Sequence, residues 1–77
     1  MSIKVRYFAS LKELVGHSET QATYVDQITP RCLWAQLNPQ LVLPDNLLVA
    51  INMQYVALDA ELHDGDELAF FPPVTGG

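Results

Sequence analysis

One segment constrains the fold of this 77-residue chain more than any other, and it begins at Thr29-Pro30. Threonine is a strong helix N-cap, and proline fits the first helical position, where its missing N–H costs nothing. Ile28 before the cap and Leu33 after it stand at hydrophobic-staple spacing, Leu33 and Leu37 share a face at i,i+4, and Asn38-Pro39 ends the run. This is the stretch that reads as a helix able to cover a sheet.

The rest reads mainly as strand. Ile3, Val5 and Tyr7 alternate with Lys4 and Arg6, the period-two pattern of a half-buried strand. Residues 20–25 alternate again, Ala22 and Tyr24 against Thr23 and Val25, and are expected to return as a hairpin with the first strand. Between them a helix of barely two turns is expected, with Ser10 and Glu13 at capping-box spacing and Gly16 as the left-handed residue that ends it. Residues 47–51 form a continuous apolar run and read as a central strand buried on both sides, ended by Asn52. Residues 55–58 add a short strand, and residues 67–71 a last one entered through Asp64-Gly65-Asp66. The order β, short helix, β, helix, β, short β, β describes an α+β architecture with one main helix on one mixed sheet. A chain this short is expected to be a single domain, residues 1–77.

Charge and composition narrow the function classes. Nine acidic against four basic residues give a formal charge of −5, which repels a phosphate backbone, so nucleic acid is not an expected ligand. The same charge suits docking onto a basic protein that handles anionic substrates, although acidic solubility explains it equally well. No apolar run reaches the roughly 18 to 20 residues of a membrane span, and the alternating start is unlike a signal peptide, so a cytoplasmic protein without a membrane partner is expected. Cys32 is the one cysteine, which rules out an internal disulfide, and it reads as a small core residue rather than a nucleophile because no histidine partner is evident. His17 and His63 stand apart with no ligand set spaced around them, so no metal site is expected. Asp59, Glu61, Asp64, Asp66 and Glu67 lack calcium-loop spacing and read as a solvated turn. Glycine-rich phosphate loops, His-Glu-x-x-His and Cys-x-x-Cys are missing, which argues against a conventional internal active site.

The unusual segment is the end, Phe70-Phe71-Pro72-Pro73-Val74-Thr75-Gly76-Gly77. If Leu68 and Phe70 face the core, alternation turns Phe71 outward as a docking aromatic, unless the chain's own tail covers it. Pro72 and Pro73 cannot continue a central strand, so residues 72–77 are expected to leave the body as an extended tail reaching on the order of 20 Å, at roughly 3.3 Å per residue. Gly76 and Gly77 have no side chains, so a narrow channel admits their backbone and brings the terminal carboxylate to a reacting phosphate. Two terminal glycines occur by chance in about one chain in two hundred, so the pair is informative only together with the prolines before it. A carboxylate becomes an acyl donor once adenylated, after which a sulfur nucleophile yields a thiocarboxylate.

The segment Asp64-Gly65-Asp66-Glu67-Leu68-Ala69-Phe70-Phe71-Pro72-Pro73-Val74-Thr75-Gly76-Gly77 closely resembles the small, sulfur-carrying subunits of molybdopterin synthase, the MoaD type. Ile3-Lys4-Val5-Arg6-Tyr7-Phe8-Ala9, Leu11-Lys12-Glu13-Leu14-Val15-Gly16 and Leu48-Val49-Ala50-Ile51-Asn52 are similar to that family too. Residues 17–46 match it only in pattern. The resemblance implies a ubiquitin-like β-grasp with a flexible Gly-Gly tail. It implies that a separate MoeB-type activating enzyme adenylates Gly77 with ATP, that a sulfur donor protein converts it to a thiocarboxylate, and that no cofactor is tightly bound to the carrier. It further implies that Phe71, Pro72, Pro73, Val74, Thr75 and Gly76 engage a MoaE-type large subunit in a heterotetramer, where sulfur passes to cyclic pyranopterin monophosphate and the large subunit catalyses. Carriers for thiazole synthesis or tRNA thiolation share the fold and the terminal glycines, and a ubiquitin-like modifier would use the same adenylated Gly77 with an amine acceptor. A plain interaction module, in which Gly77 has no chemistry, is a further alternative.

Overall fold

The computed structural model describes residues 1–73; the expectations placed on Val74, Thr75, Gly76 and Gly77 lie outside the described residues. Five strands, β1 (Ser2–Tyr7), β2 (Glu19–Thr23), β3 (Leu48–Ile51), β4 (Gln54–Val56) and β5 (Glu67–Phe71), join in one sheet of order β2-β1-β5-β3-β4. Helix α1 (Ser10–Val15) links β1 to β2, and α2 (Pro30–Leu37) links β2 to β3. The β1–β5 pair is parallel and the other three are antiparallel, so the sheet is mixed, as the α+β reading required. The arrangement is that of a ubiquitin-like β-grasp.

Burial follows the strand alternation. Ile3, Val5 and Tyr7 of β1 and Leu68 and Phe70 of β5 lie in the core, while Lys4, Arg6 and Glu67 point away from it. The register Val5↔Leu68 and Tyr7↔Phe70 sets these core side chains beside one another. In β3 the neighbours Val49 and Ala50 are both buried, Val49 in the core and Ala50 between larger side chains on the opposite face. It lies between β5 and β4, however, and the middle position belongs to β5. The apolar run of β3 reports an interior strand with low solvent access on two faces, not the middle rank in the sheet.

Thr29 caps α2 as its sequence requires, its hydroxyl accepting from the Cys32 N–H at 3.2 Å, with Pro30 at the first turn. Pro30, Leu33 and Trp34 face the core, and Leu37 packs against its edge. That choice of face turns Cys32 outward, so the core placement expected for it is wrong: the thiol is exposed. Trp34 is nearly fully buried; its ring meets Tyr7 and Phe70 edge-on, and its indole N–H donates to the Leu41 carbonyl at 3.4 Å. Asn38 is the one buried polar side chain among the described residues, and its amide donates to the Tyr7 hydroxyl at 3.2 Å.

The capping box expected at Ser10 does not form. Ala9 occupies the cap position with φ 54°, no side chain caps the helix, and Ser10 is already its first residue. The end of α1 is as expected, with Gly16 left-handed at φ 102° and its N–H on the Lys12 carbonyl. Strand β2 begins and ends slightly before the expected 20–25, and β4 occupies 54–56 rather than 55–58. His17 and His63 are exposed, as read from sequence. Leu62, in a stretch without regular structure, is fully buried, held there by its N–H on the Ile28 carbonyl.

Candidate functional site

The face of the sheet turned away from α2 is where the outward residues of four strand segments meet. Register decides which ones. Arg6 lies beside Ala69, Ala69 beside Ala50 and Ala50 beside Tyr55, so two alanines form a low floor between larger side chains. Phe8 and Phe71 stack at one end, ring centroids 4.7 Å apart and planes within 8°. Tyr55 meets Phe71 edge-on at 5.9 Å. Together with Met53 and Glu67 these residues line a groove of about 370 Å³.

The rim is charged on one side only. Arg6 holds its guanidinium 4.9 Å above the Phe8 ring and reaches Glu67 at 3.3 Å, an exposed pair whose main effect is to orient the arginine rather than to stabilise the fold. Opposite it, Tyr55 is 71% and Met53 95% exposed, so large apolar side chains stand in solvent around the alanine floor. Single exposed apolar residues are ordinary; several converging on one concave surface mark a docking site.

Phe71 is therefore turned outward, as alternation predicted, and half-buried by Phe8 and Tyr55 of the sheet itself. Pro72 and Pro73 follow it directly, partly covered and outside any strand, so the chain departs from the sheet at the aromatic end of the groove. Gly77 and the residues from Val74 onward lie beyond the described part. Phe8, Tyr55 and Met53 were not singled out by the sequence reading as part of a docking surface. Alternation predicts the outward face of each strand, but only the lateral order of the sheet unites residues from its first and last strands.

The turn that launches β5 is built from the acidic stretch. Gly65 takes φ 88° and donates its N–H to the Ser2 carbonyl, while the Asp66 carboxylate accepts from the His63 N–H at 2.8 Å and from the Asn52 amide at 2.9 Å. The Asp66 carboxylate thus holds the turn and the Asn52 side chain in place, and among the described residues no group of three potential metal ligands comes together. Nor is any helix among them long and apolar enough to cross a membrane.

Similarity to known proteins agrees with this geometry. The ThiS family matches residues 5–77. The molybdopterin synthase sulfur carrier subunit of Escherichia coli is 46% identical, over 97% of this chain and 99% of that one. Among solved structures, SAMP1 from Haloferax volcanii superposes with a TM-score of 0.80 at 29% identity over the whole of both chains. The complex of subunits 1 and 2 of the molybdopterin-converting factor from Helicobacter pylori matches at 0.64 and 25% identity, again over the whole of both chains. A β-grasp with an aromatic groove at the root of a Pro-Pro-Val-Thr-Gly-Gly end, matched over nearly its full length, belongs to the ThiS family and groups there with the molybdopterin synthase sulfur carriers.

Proposed function

We propose that this chain is the sulfur carrier subunit of a molybdopterin synthase and that its reagent is the carboxyl group of Gly77. The observation that supports this most directly is the position of the groove. It ends at Phe71, the last residue of the middle strand, and the six residues that follow run to a terminal Gly-Gly. A partner seated on the groove holds the root of a tail that spans on the order of 20 Å when extended.

In this reading Gly77 is adenylated by ATP on a separate activating enzyme: the carboxylate attacks the α-phosphorus and pyrophosphate leaves. Sulfide-level sulfur supplied by a donor protein then attacks the acyl carbon and expels AMP, leaving a thiocarboxylate. The tail enters the large subunit, where the thiocarboxylate sulfur bonds to cyclic pyranopterin monophosphate and water cleaves the acyl–sulfur bond, returning Gly77 to a carboxylate. Two sulfurs make a dithiolene, which favours two carriers per heterotetramer or repeated exchange. Phe71, Pro72 and Pro73 seat the root of the tail; Val74, Thr75 and Gly76 pass through the channel, where the absence of a side chain at Gly76 permits close approach. The carrier itself binds no cofactor, because ATP acts on the activating enzyme, and the chain works in the cytoplasm. The complex of subunits 1 and 2 from Helicobacter pylori supports a large-subunit partner.

The test is molybdoenzyme activity in a cell lacking its own small synthase subunit, complemented with the intact chain or with one lacking Gly77. Rescue by the intact chain alone is expected. Rescue by both would refute the role of the terminal glycine, and failure of both with folded protein and a co-expressed cognate large subunit would refute the pathway.

A further inference from the structure

Strands β3 and β4 are joined by a two-residue turn, Asn52-Met53, with Ile51 paired to Gln54 across it. Both turn residues have positive φ, 50° at Asn52 and 70° at Met53, the combination a type I′ hairpin requires and that Asn-Gly satisfies best. Asn52 suits its place. Its side-chain oxygen accepts from the Glu67 N–H at 3.0 Å, its amide donates to Asp66, and its own N–H donates to the Glu67 carbonyl at 2.8 Å. Left-handed asparagine is common, and here it ties the hairpin to the start of β5.

Met53 has no such account. A long side chain at φ 70° is strained, and it is 95% exposed, so burial does not offset the strain. What it does is line the aromatic groove beside Tyr55 and Phe71. Strain kept at an exposed position argues for a use outside the folded chain, and a flexible, polarisable thioether is suited to an apolar pocket on another protein.

We infer that Met53 is an affinity-determining contact for the large synthase subunit, kept at a turn position where the fold alone favours glycine or asparagine. The inference rests on the proposed function. The occupant is the large subunit rather than a second copy because Phe71 lines the groove and Pro72 and Pro73 lead directly from it, so a protein that receives the tail is brought against this face. A charge of −5 on each copy opposes self-association.

Calorimetric titration of the cognate large subunit with the full chain and with Met53→Gly, Met53→Asn and Met53→Leu, alongside thermal melts, tests this. The Gly and Asn variants are expected to melt at the same temperature or a few degrees higher and to bind about tenfold more weakly, while the Leu variant binds within about threefold of the unaltered chain. Undiminished binding by the Gly and Asn variants overturns the inference, as does a lower melting temperature in both, which would assign Met53 to the fold. If the unaltered chain fails to bind the large subunit, the proposed function fails first, a result distinct from a binding chain with indifferent variants.

Discussion

Phe8 and Phe71 lie stacked at 4.7 Å across the parallel β1–β5 pair, on the face opposite the helix, and so the ends of the first and last strands are locked together where the chain leaves the sheet. The Phe8 N–H on the Phe70 carbonyl at 3.1 Å extends the ladder to the same point. A double-mutant cycle of Phe8→Ala and Phe71→Ala should give a coupling of about 0.5–1.5 kcal/mol in urea unfolding, the range for aromatic pairs. Additive effects would show that the two rings act independently. Each single variant should also bind the large subunit less tightly.

Alkaline stability should depend on Tyr7. Burial raises its pKa above the ordinary 10.0, only partly opposed by the hydrogen bond from Asn38. The folded chain therefore keeps the phenol proton at a pH where the unfolded chain has lost it. The resulting stability is complete below pH 10, falls as pH rises through 10, and is lost once pH passes the raised folded value, with a limiting slope of about 1.4 kcal/mol per pH unit. Urea melts from pH 9 to 11 should show this decline, and Tyr7→Phe should flatten it. The same variant should lose about 1–3 kcal/mol at pH 7, because it leaves the buried Asn38 amide without its acceptor.

Gly65→Ala separates strain from crowding. A methyl group there meets nothing within 4 Å, yet φ is 88°, so the cost is conformational, about 1 kcal/mol. Gly65→Asn should recover part of it, since asparagine tolerates left-handed backbone. Equal losses in the two variants would point instead to a contact the glycine makes.

The tail should be intolerant of length. One residue added after Gly77 is expected to abolish sulfur transfer in a reconstituted synthase while leaving the melting temperature unchanged, because the reacting group must lie within bonding reach of substrate. Mass spectrometry of the recovered chain must show that the addition has not been trimmed; an untrimmed, active variant would refute this placement of the reagent.

What was legible in the sequence was whatever a short window decides. Ile3, Val5 and Tyr7 announce β1 through alternation, Thr29-Pro30 announces α2 through capping, and Asp64-Gly65-Asp66 announces the entry to β5 through turn chemistry. Where a local rule had a competitor, it failed. Ser10 has the composition of a cap, but the positive φ of Ala9 starts the helix one residue early, and Cys32 lies on the face of α2 that Leu33 and Trp34 do not use. The groove was legible only at Phe71. Joining it to Phe8, Met53 and Tyr55 requires the strand order, which is set by pairings between segments as far apart as β1 and β5.

The middle place of β5 has a mechanical consequence. A pull on the residues beyond Phe71 is transmitted along a strand hydrogen-bonded to β1 on one flank and β3 on the other. Those bonds run across the direction of pull, so they share the load as a lap joint does instead of opening one by one like a zip. A load applied beyond Phe71 is thus spread over two strand pairings, and the body behind it keeps its shape.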